Sequence, residues 1–262
     1  MTEPETFMRT GILATAPRFA VKFARSNDEL LETQRLRYRI FAEEMGARID
    51  DDGTRLDRDA FDIHCRHLYV RDHANGAIVA CTRILTDDRA ADAGGFYSAD
   101  EFDLGALERL PGRSMEIGRT CVAAEFRSGA VIALLWSGIA ELIAAEGFDY
   151  LFGCASIGLE DGGANARAVL RALQADYLSP PYHRVRPRKP LPAADARPGG
   201  PARMPPLLKA YVNLGAKACG EPYWDADFNC ADVFMLLNVM DLNPRYARRF
   251  FGRDRVREPA LA

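Results

Sequence analysis

The stretch Ser114–Trp136, SMEIGRTCVAAEFRSGAVIALLW, constrains the fold most, because it reads as a strand, a tight loop and a helix in immediate succession. Met115 to Val122 is short and rich in β-favouring residues, yet it carries Glu116 and Arg119, where a plain buried strand has no charge. In a regular strand residues 116 and 119 face opposite sides of the sheet, so bringing them together requires a bulge at Gly118. Ala123 to Ser128 turns the chain. From Gly129 the run AVIALLWSGIAELIAAEG is apolar nearly all round, which suits a helix packed on a sheet. The free N–H groups at such a helix start seat a single phosphate, with Arg127 and Ser128 beside them as donors. An ordinary connection with a solvated arginine satisfies the same pattern.

The 262 residues, 48% of them hydrophobic, are enough for one large globular domain or two small ones. The most apolar run, Ala130 to Ala145, is interrupted by Glu141, so no membrane-spanning helix is expected. The first residues lack a basic start followed by an apolar core, and a cytoplasmic protein is expected. None of the six cysteines falls in a C-x-x-C pair, which predicts buried thiols rather than disulfides. The net charge of −3 divides unevenly: residues 1–179 carry −9 and residues 180–262 carry +6. A basic C-terminal third suits an acidic protein partner or an anionic membrane surface. Nucleic acid is not expected, since the pI is 5.9 and the basic residues are not interleaved with aromatics.

In chain order, residues 1–17 read as a mobile arm and Arg18 to Ala24 as a first strand. Ser26 or Asp28 then caps a helix over Glu29 to Met45, on which Arg37 is the candidate to bind an anionic group. The run FDIHCRHLYVRDHANGAIVACTRIL is a hairpin about Asn75-Gly76, a turn in which both positions favour positive φ. Asp62, His64, Cys65 and His67 are too cramped for the usual zinc spacing, so no metal is expected, and polar residues that line a substrate mouth or cap the strand are preferred. Later come a buried strand (149–157), an amphipathic helix (162–178) and a basic edge strand (182–189). A Pro/Gly/Ala-rich loop (191–206), a helix (207–219) and a last strand (230–240) follow. The tail, 243–262, mixes six arginines with Tyr246, Phe250 and Phe251. It suits a membrane or partner contact, or a solvated helix with its aromatics tucked onto the core. There are no internal repeats, and the order of elements is that of a mixed α/β domain.

That order resembles the GNAT acyltransferase fold: a mixed central sheet flanked by helices, here spanning 18–242 with an insertion at about 190–230 and the basic tail. The strings LRYRIFAEEMG (36–46), MEIGRTCV (115–122), PARMPPLLKAYVNLGAKACGEPYWDADFNCADVFMLL (201–237) and LNPRYARRFFG (242–252) are similar to the ornithine N-acyltransferases of bacterial ornithine-lipid synthesis. The resemblance implies transfer of a 3-hydroxyacyl chain from the phosphopantetheine thioester of acyl carrier protein to the α-amino group of ornithine. The product is lyso-ornithine lipid, and no cofactor beyond that co-substrate is needed. In this fold the central strand and its neighbour splay apart to hold the pantetheine arm, at Cys121, Val122 and Ala123 here; Arg127, Ser128 and Gly129 take the phosphate. The coenzyme A loop of acetyltransferases begins with Arg or Gln three residues before its first glycine, and here Phe126 stands there. The carrier-protein arm has one phosphate, and the incomplete loop fits that donor. The Glu116 to Arg119 pattern is also similar to acyl-homoserine-lactone synthases, whose reaction is an alternative, as is another amino acid acceptor.

The amine must lose a proton as it attacks. Glu116, the only acid of the central strand, is the expected base, its pKa raised by burial; pairing with Arg119 for structure alone is the other reading. Arg119 would orient Glu116 or hold the substrate carboxylate. Asp62 or Asp103 would receive the ornithine side-chain ammonium. With no serine or cysteine nucleophile motif present, direct attack is expected.

Overall fold

Strands whose successive side chains face opposite sides give this chain a sheet with an apolar layer on each face. The computed structural model describes residues 17–50, 52–105, 107–127, 129–192 and 201–251. The chain begins with β1 (Phe19–Phe23) and α1 (Asn27–Tyr38), which the Ser26 hydroxyl caps by accepting the Glu29 N–H at 3.2 Å. A wider π-helical turn, Arg39–Glu44, extends α1. Then come β2 (Arg66–Asp72), β3 (Ile78–Thr86), α2 (Asp87–Ala93), β4 (Phe102–Asp103), β5 (Ser114–Val122) and α3 (Ala130–Glu146). The chain continues through β6 (Tyr150–Gly158), α4 (Ala164–Asp176), β7 (Arg186–Pro187), α5 (Pro206–Leu214), β8 (Lys217–Ala218), β9 (Tyr223–Asp225), β10 (Cys230–Asn238) and α6 (Pro244–Phe251).

The main sheet runs β1-β2-β3-β5-β6-β10-β8, with β9 also on β10. Among the described strands of this sheet, β5 and β6 alone are parallel neighbours. One face presents Leu68, Val70, Ile117, Leu151, Ala155, Val233 and Met235 to α3, α4 and α5. The other face carries two separate apolar clusters. Leu36 of α1 and Ile40 of the π-helical turn cover Tyr69, Cys81 and Cys121, while Phe96, Phe102 and Val185 cover Phe152, Phe234 and Leu236. The interval between these clusters is polar and holds the candidate site.

Several sequence expectations change here. The hairpin loop is longer than two residues: the Asp72 N–H donates to the Ala77 carbonyl and the Gly76 N–H to the Asp72 carbonyl. Of Asn75 and Gly76 only the glycine has positive φ. Asp72 and Asn75 accept backbone N–H groups of Ala74 and Ala77, and these side-chain turns replace the tighter geometry. The expected edge strand at 182–189 shrinks to β7, which pairs β4 in a separate ribbon. Gly215, at φ 111°, ends α5 early, so that Lys217–Ala218 can join β10. Lys217–Ala218 and Tyr223–Asp225 thus belong to the sheet, not to an insertion beside it. The arm at 1–16, the loop at 193–200 and the tail from 252 lie outside the described residues. Within the tail, α6 packs Tyr246 and Ala247 on the core and leaves Arg245 and Arg248 exposed. The six cysteines are free thiols. Among the described residues no helix is long and apolar enough to cross a membrane.

Pairing of β5 with β6 covers Ser114↔Tyr150, Met115↔Leu151 and Glu116↔Phe152 and then stops, although both strands continue for six residues. The strands part just past Glu116. At the start of the parting a Cβ on Gly153 would lie far inside contact distance of the Ile117 carbonyl oxygen. Gly153→Ala is therefore expected to cost about 1–3 kcal/mol, by the strain of overpacking. Urea denaturation checks this; an unchanged midpoint would mean that the backbones yield there without cost.

Candidate active site

Glu116 sits at the apex where the strands part, 3% exposed. The short helical turn Tyr97–Asp100 aims its first amides at it: Oε2 accepts the Tyr97 N–H at 2.7 Å and Oε1 the Ser98 N–H at 2.8 Å. The Ser98 hydroxyl also donates to Oε1. Burial pushes the Glu116 carboxyl above the usual carboxylate range, and the bonds from Ser98 and Tyr97 oppose that shift. Three donors leave Oε2 with a free lone pair.

The bulge that Glu116 and Arg119 require is present one residue further on. The β3–β5 register shifts between Cys81 and Arg83, and Arg119 adopts φ 50°. Both side chains thereby reach the same face. They do not pair directly: the Arg119 Nη1 donates to the Tyr97 hydroxyl at 3.3 Å, and the guanidinium lies 4.9 Å and 5.3 Å from the ring centres of Tyr97 and Phe228. Tyr97 connects the two through its N–H and its hydroxyl. Arg119 also approaches Asp57 at 3.3 Å and Asp59 at 3.6 Å, too loosely to use all its donors, and its Nε makes no hydrogen bond.

Arg37 and Asp62 do not serve as substrate groups here. Arg37 is 1% exposed; its Nε donates to Asp57 at 2.8 Å and its Nη1 and Nη2 to Asp62 at 3.0 and 3.2 Å. Asp62 further accepts from Gln34 and Arg83, both at 2.8 Å, so every lone pair of its carboxylate has a donor. No acceptor remains for an ammonium ion. Arg37, Arg83 and Arg119 with Asp57, Asp59 and Asp62 form a neutral buried network that holds the loop before β2 against β3 and β5. His67, bonded to the Asp62 carbonyl, belongs to its margin. Asp103 is exposed on β4 and accepts the Gly105 N–H. Its segment reaches the site through Glu101 instead.

Beyond the apex the polar interval continues through Cys154, whose thiol contacts the Ser98 hydroxyl at 3.4 Å and donates to Glu101 at 3.2 Å. Glu101 and Asp232 are buried. Asp232 accepts from the Ser156 hydroxyl at 2.6 Å, and Asp225, Cys230 and Asp232 bring one ligand-type atom each within 4.8 Å of one another. Burial first, and then the neighbouring carboxylates, push Glu101 up to about 8 and Asp232 up to about 6. An acid whose folded pKa is raised binds its proton more tightly when folded, so stability falls as pH rises from the unfolded value of about 4 through these folded values. The free protein is expected to lose stability between about pH 4.5 and 8, by the order of 1 kcal/mol per pH unit. Thermal unfolding across that range checks the slope, and Glu101→Gln is expected to flatten its upper half.

For the donor, the β3 ladder decides which backbone groups are available. The Ala123 N–H donates to the Val79 carbonyl and Cys121 faces Cys81, so the groups of Val122 point away, toward the gap. Of the three residues expected to hold the pantetheine arm, Val122 alone offers backbone to it. Its carbonyl accepts the Arg127 Nε at 2.9 Å, while the rest of that guanidinium grips Glu44. Gly129, at φ 91°, turns the chain into α3, and Ser128 lies outside the described residues. The contact with the Cys81 thiol, 3.6 Å away, and then burial raise the Cys121 thiol well above its ordinary range, and burial does the same at Cys154, so neither thiol is activated as a thiolate. An open cleft of about 860 Å³, lined by residues such as Leu178, Arg184, Arg186 and Glu221, contains none of these groups.

Sequence reasoning misses Arg83 and Asp232, although each is a lone charge in an apolar strand, the signal that singles out Glu116. Glu101 and Asp57 lie in polar connections and carry no such signal.

A sheet parted beside its central strand, with a buried acid at the apex and a helix start at the far end, defines an N-acyltransferase of the GNAT type. Residues 36–137 match the family model described as an acetyltransferase (GNAT) domain. The chain belongs to the L-ornithine N(alpha)-acyltransferase family. It is 34% identical over 259 residues to the L-ornithine N(alpha)-acyltransferase of Rhodobacter capsulatus, covering 92% of this chain and 100% of that protein. It is 35% identical to the Agrobacterium fabrum enzyme of the same name, over 94% of this chain and 87% of that one. Among solved structures, the AHL synthase LasI superposes with a TM-score of 0.53 at 13% identity, over 92% of this chain and 98% of that chain. FeeM, an N-acyl amino acid synthase from uncultured soil microbes, does so with a TM-score of 0.50 at 13% identity, over 86% of this chain and 92% of that chain. Those two likenesses concern the fold alone.

Proposed function

We propose that this enzyme transfers a 3-hydroxyacyl group from the phosphopantetheine thioester of acyl carrier protein to the α-amino group of L-ornithine, forming lyso-ornithine lipid. The observation that carries the reading is the buried Glu116 carboxylate at the point where β5 and β6 separate. A thioester in the gap has its carbonyl beside that carboxylate. The amine nitrogen bonds to the carbonyl carbon, the carbon–sulfur bond breaks, and the amine proton goes through the free lone pair of Glu116 Oε2 to the departing thiolate. Arg119, loosely paired and lying against the rings of Tyr97 and Phe228, is suited to hold the substrate α-carboxylate.

The phosphate of the arm takes Arg127 in exchange for Glu44, next to the start of α3. The carrier protein is the donor that fits a single phosphate and an acidic partner for the basic C-terminal third. An amphiphilic product also suits contact between the exposed arginines of α6 and an anionic inner membrane, with the enzyme on its cytoplasmic face.

Purified enzyme given 3-hydroxyacyl carrier protein or 3-hydroxyacyl-CoA, with ornithine and a panel of other amino acids, tests this by mass spectrometry of the products. Acyl-ornithine formed chiefly from the carrier-protein donor is expected. Equal use of the CoA donor would overturn the assignment of the donor, and a preferred different amino acid would overturn that of the acceptor.

A further inference from the structure

Beyond Cys154 lie two buried carboxyl groups that lack a cationic partner among the described residues. Glu101 is 7% exposed and Asp232 is 4% exposed. Among the described residues neither has a cation within ion-pair distance, and neither does Asp225. Asp232 uses a hydroxyl and a thiol, and Asp225 uses its own turn's Asp227 and Phe228 N–H groups. Glu101 is the most exceptional: among the described residues its one side-chain hydrogen bond comes from the weak Cys154 thiol, at Oε2. Buried carboxylates are ordinarily paired, because an unpaired one loses hydration that nothing replaces. By contrast the Arg37 network, in the same polar interval, is balanced three against three. The imbalance is therefore local, and its sign asks for a cation.

The position of these acids says which cation. They face the same side of the sheet as Glu116, since Phe152, Cys154 and Ser156 alternate on β6 with residues of the opposite layer, and Asp232 lies opposite Ser156. A continuous line of contacts joins Glu116 through Ser98 and Cys154 to Glu101. An amino acid held by its carboxylate at Arg119, with its α-amine at Glu116, would extend its side chain toward Glu101 and Asp232.

The geometry points to Glu101 and Asp232 as the receptor for the side-chain ammonium of a diamino acid acceptor, and so as the residues that select ornithine over a neutral amino acid of the same length. This assignment rests on the acyl-transfer reading of the Glu116 site. An ammonium entering between the two carboxyl groups supplies the missing donors and favours their ionised form, whereas an uncharged chain offers them no donor.

The test compares acyl transfer from 3-hydroxyacyl carrier protein to ornithine and to 2-aminopentanoic acid, which has the same chain without the terminal ammonium. Wild type is expected to favour ornithine in kcat/KM by about 100-fold or more. Glu101→Gln and, separately, Asp232→Asn are expected to raise the ornithine KM and shrink that preference at least tenfold, with transfer to 2-aminopentanoic acid within threefold of wild type. Asp232→Asn retains an acceptor for Ser156 and serves should the other variant fold poorly. Variants that lose both acceptors in parallel, or that retain the full preference, overturn the assignment. Calorimetry with ornithine alone separates the two readings. Binding that depends on Glu101 in an enzyme that transfers no acyl group would overturn acyl transfer and keep the receptor, and no binding to wild type would overturn the receptor.

Discussion

Glu116→Gln is expected to lower kcat for acyl transfer by about 10²–10⁴-fold, the range over which a positioned base acts. Glutamine has the shape of glutamate and keeps an oxygen for the Ser98 N–H and hydroxyl. It removes the lone pair that takes the amine proton, and its amide nitrogen meets the Tyr97 N–H, a donor against a donor. The second effect costs about 1–3 kcal/mol of stability. Unfolding and ornithine binding must therefore be measured on the same preparation. The pH profile isolates the chemical role. Burial holds the Glu116 carboxyl above the ordinary carboxylate range, so in wild type kcat rises with pH as that group ionises, and in the variant this rise disappears. Ser98→Ala removes one donor to the ionised form while keeping the carboxylate. It is expected to move the rise to higher pH with a far smaller loss of kcat. A folded Glu116→Gln enzyme within threefold of wild type would assign Glu116 to structure alone.

The same residue shows what the amino-acid string reveals. A lone acid in an apolar strand identifies Glu116, and parity along that strand predicts a bulge, because residues 116 and 119 cannot otherwise share a face. The bulge lies at Arg119 and not at Gly118, since placement depends on the hydrogen bonds of β3, which the local sequence does not contain. Arg37 is misread for a related reason. An arginine beside other arginines on a helix looks available, and only the return of Asp57 and Asp62 across the fold shows that its donors are used. Arg127 and Glu44 are 83 residues apart, and their pairing at the mouth of the gap is equally invisible along the chain. The strand, loop and helix at the centre are local patterns and are legible; the charge balance of the interior is a long-range property and is not.

The largest effect on stability is expected from Arg37→Met. Burial by itself would lower the pKa of the Arg37 guanidinium and raise that of the Asp62 carboxyl. The reverse is found in both because Asp57 and Asp62 surround the arginine, while Arg37 and Arg83 surround Asp62. Among the described residues, removing the arginine leaves Asp57 with the long contact to Arg119, and Asp62 with Arg83 and Gln34. Stripping one member from a buried charge network costs about 3–5 kcal/mol, a large part of a total stability of about 5–15 kcal/mol. A lower urea midpoint at an unchanged slope is the expected record. The pH dependence carries the same signature. Asp62 has a folded pKa well below its unfolded value of about 4, so its contribution is complete above that pH and is lost as the pH falls below it. Wild type should lose stability steeply below about pH 4, and the variant should lose much less there, having already surrendered the partner that holds the proton off. Equal acid slopes in the two proteins would mean that Arg83 alone keeps Asp62 ionised.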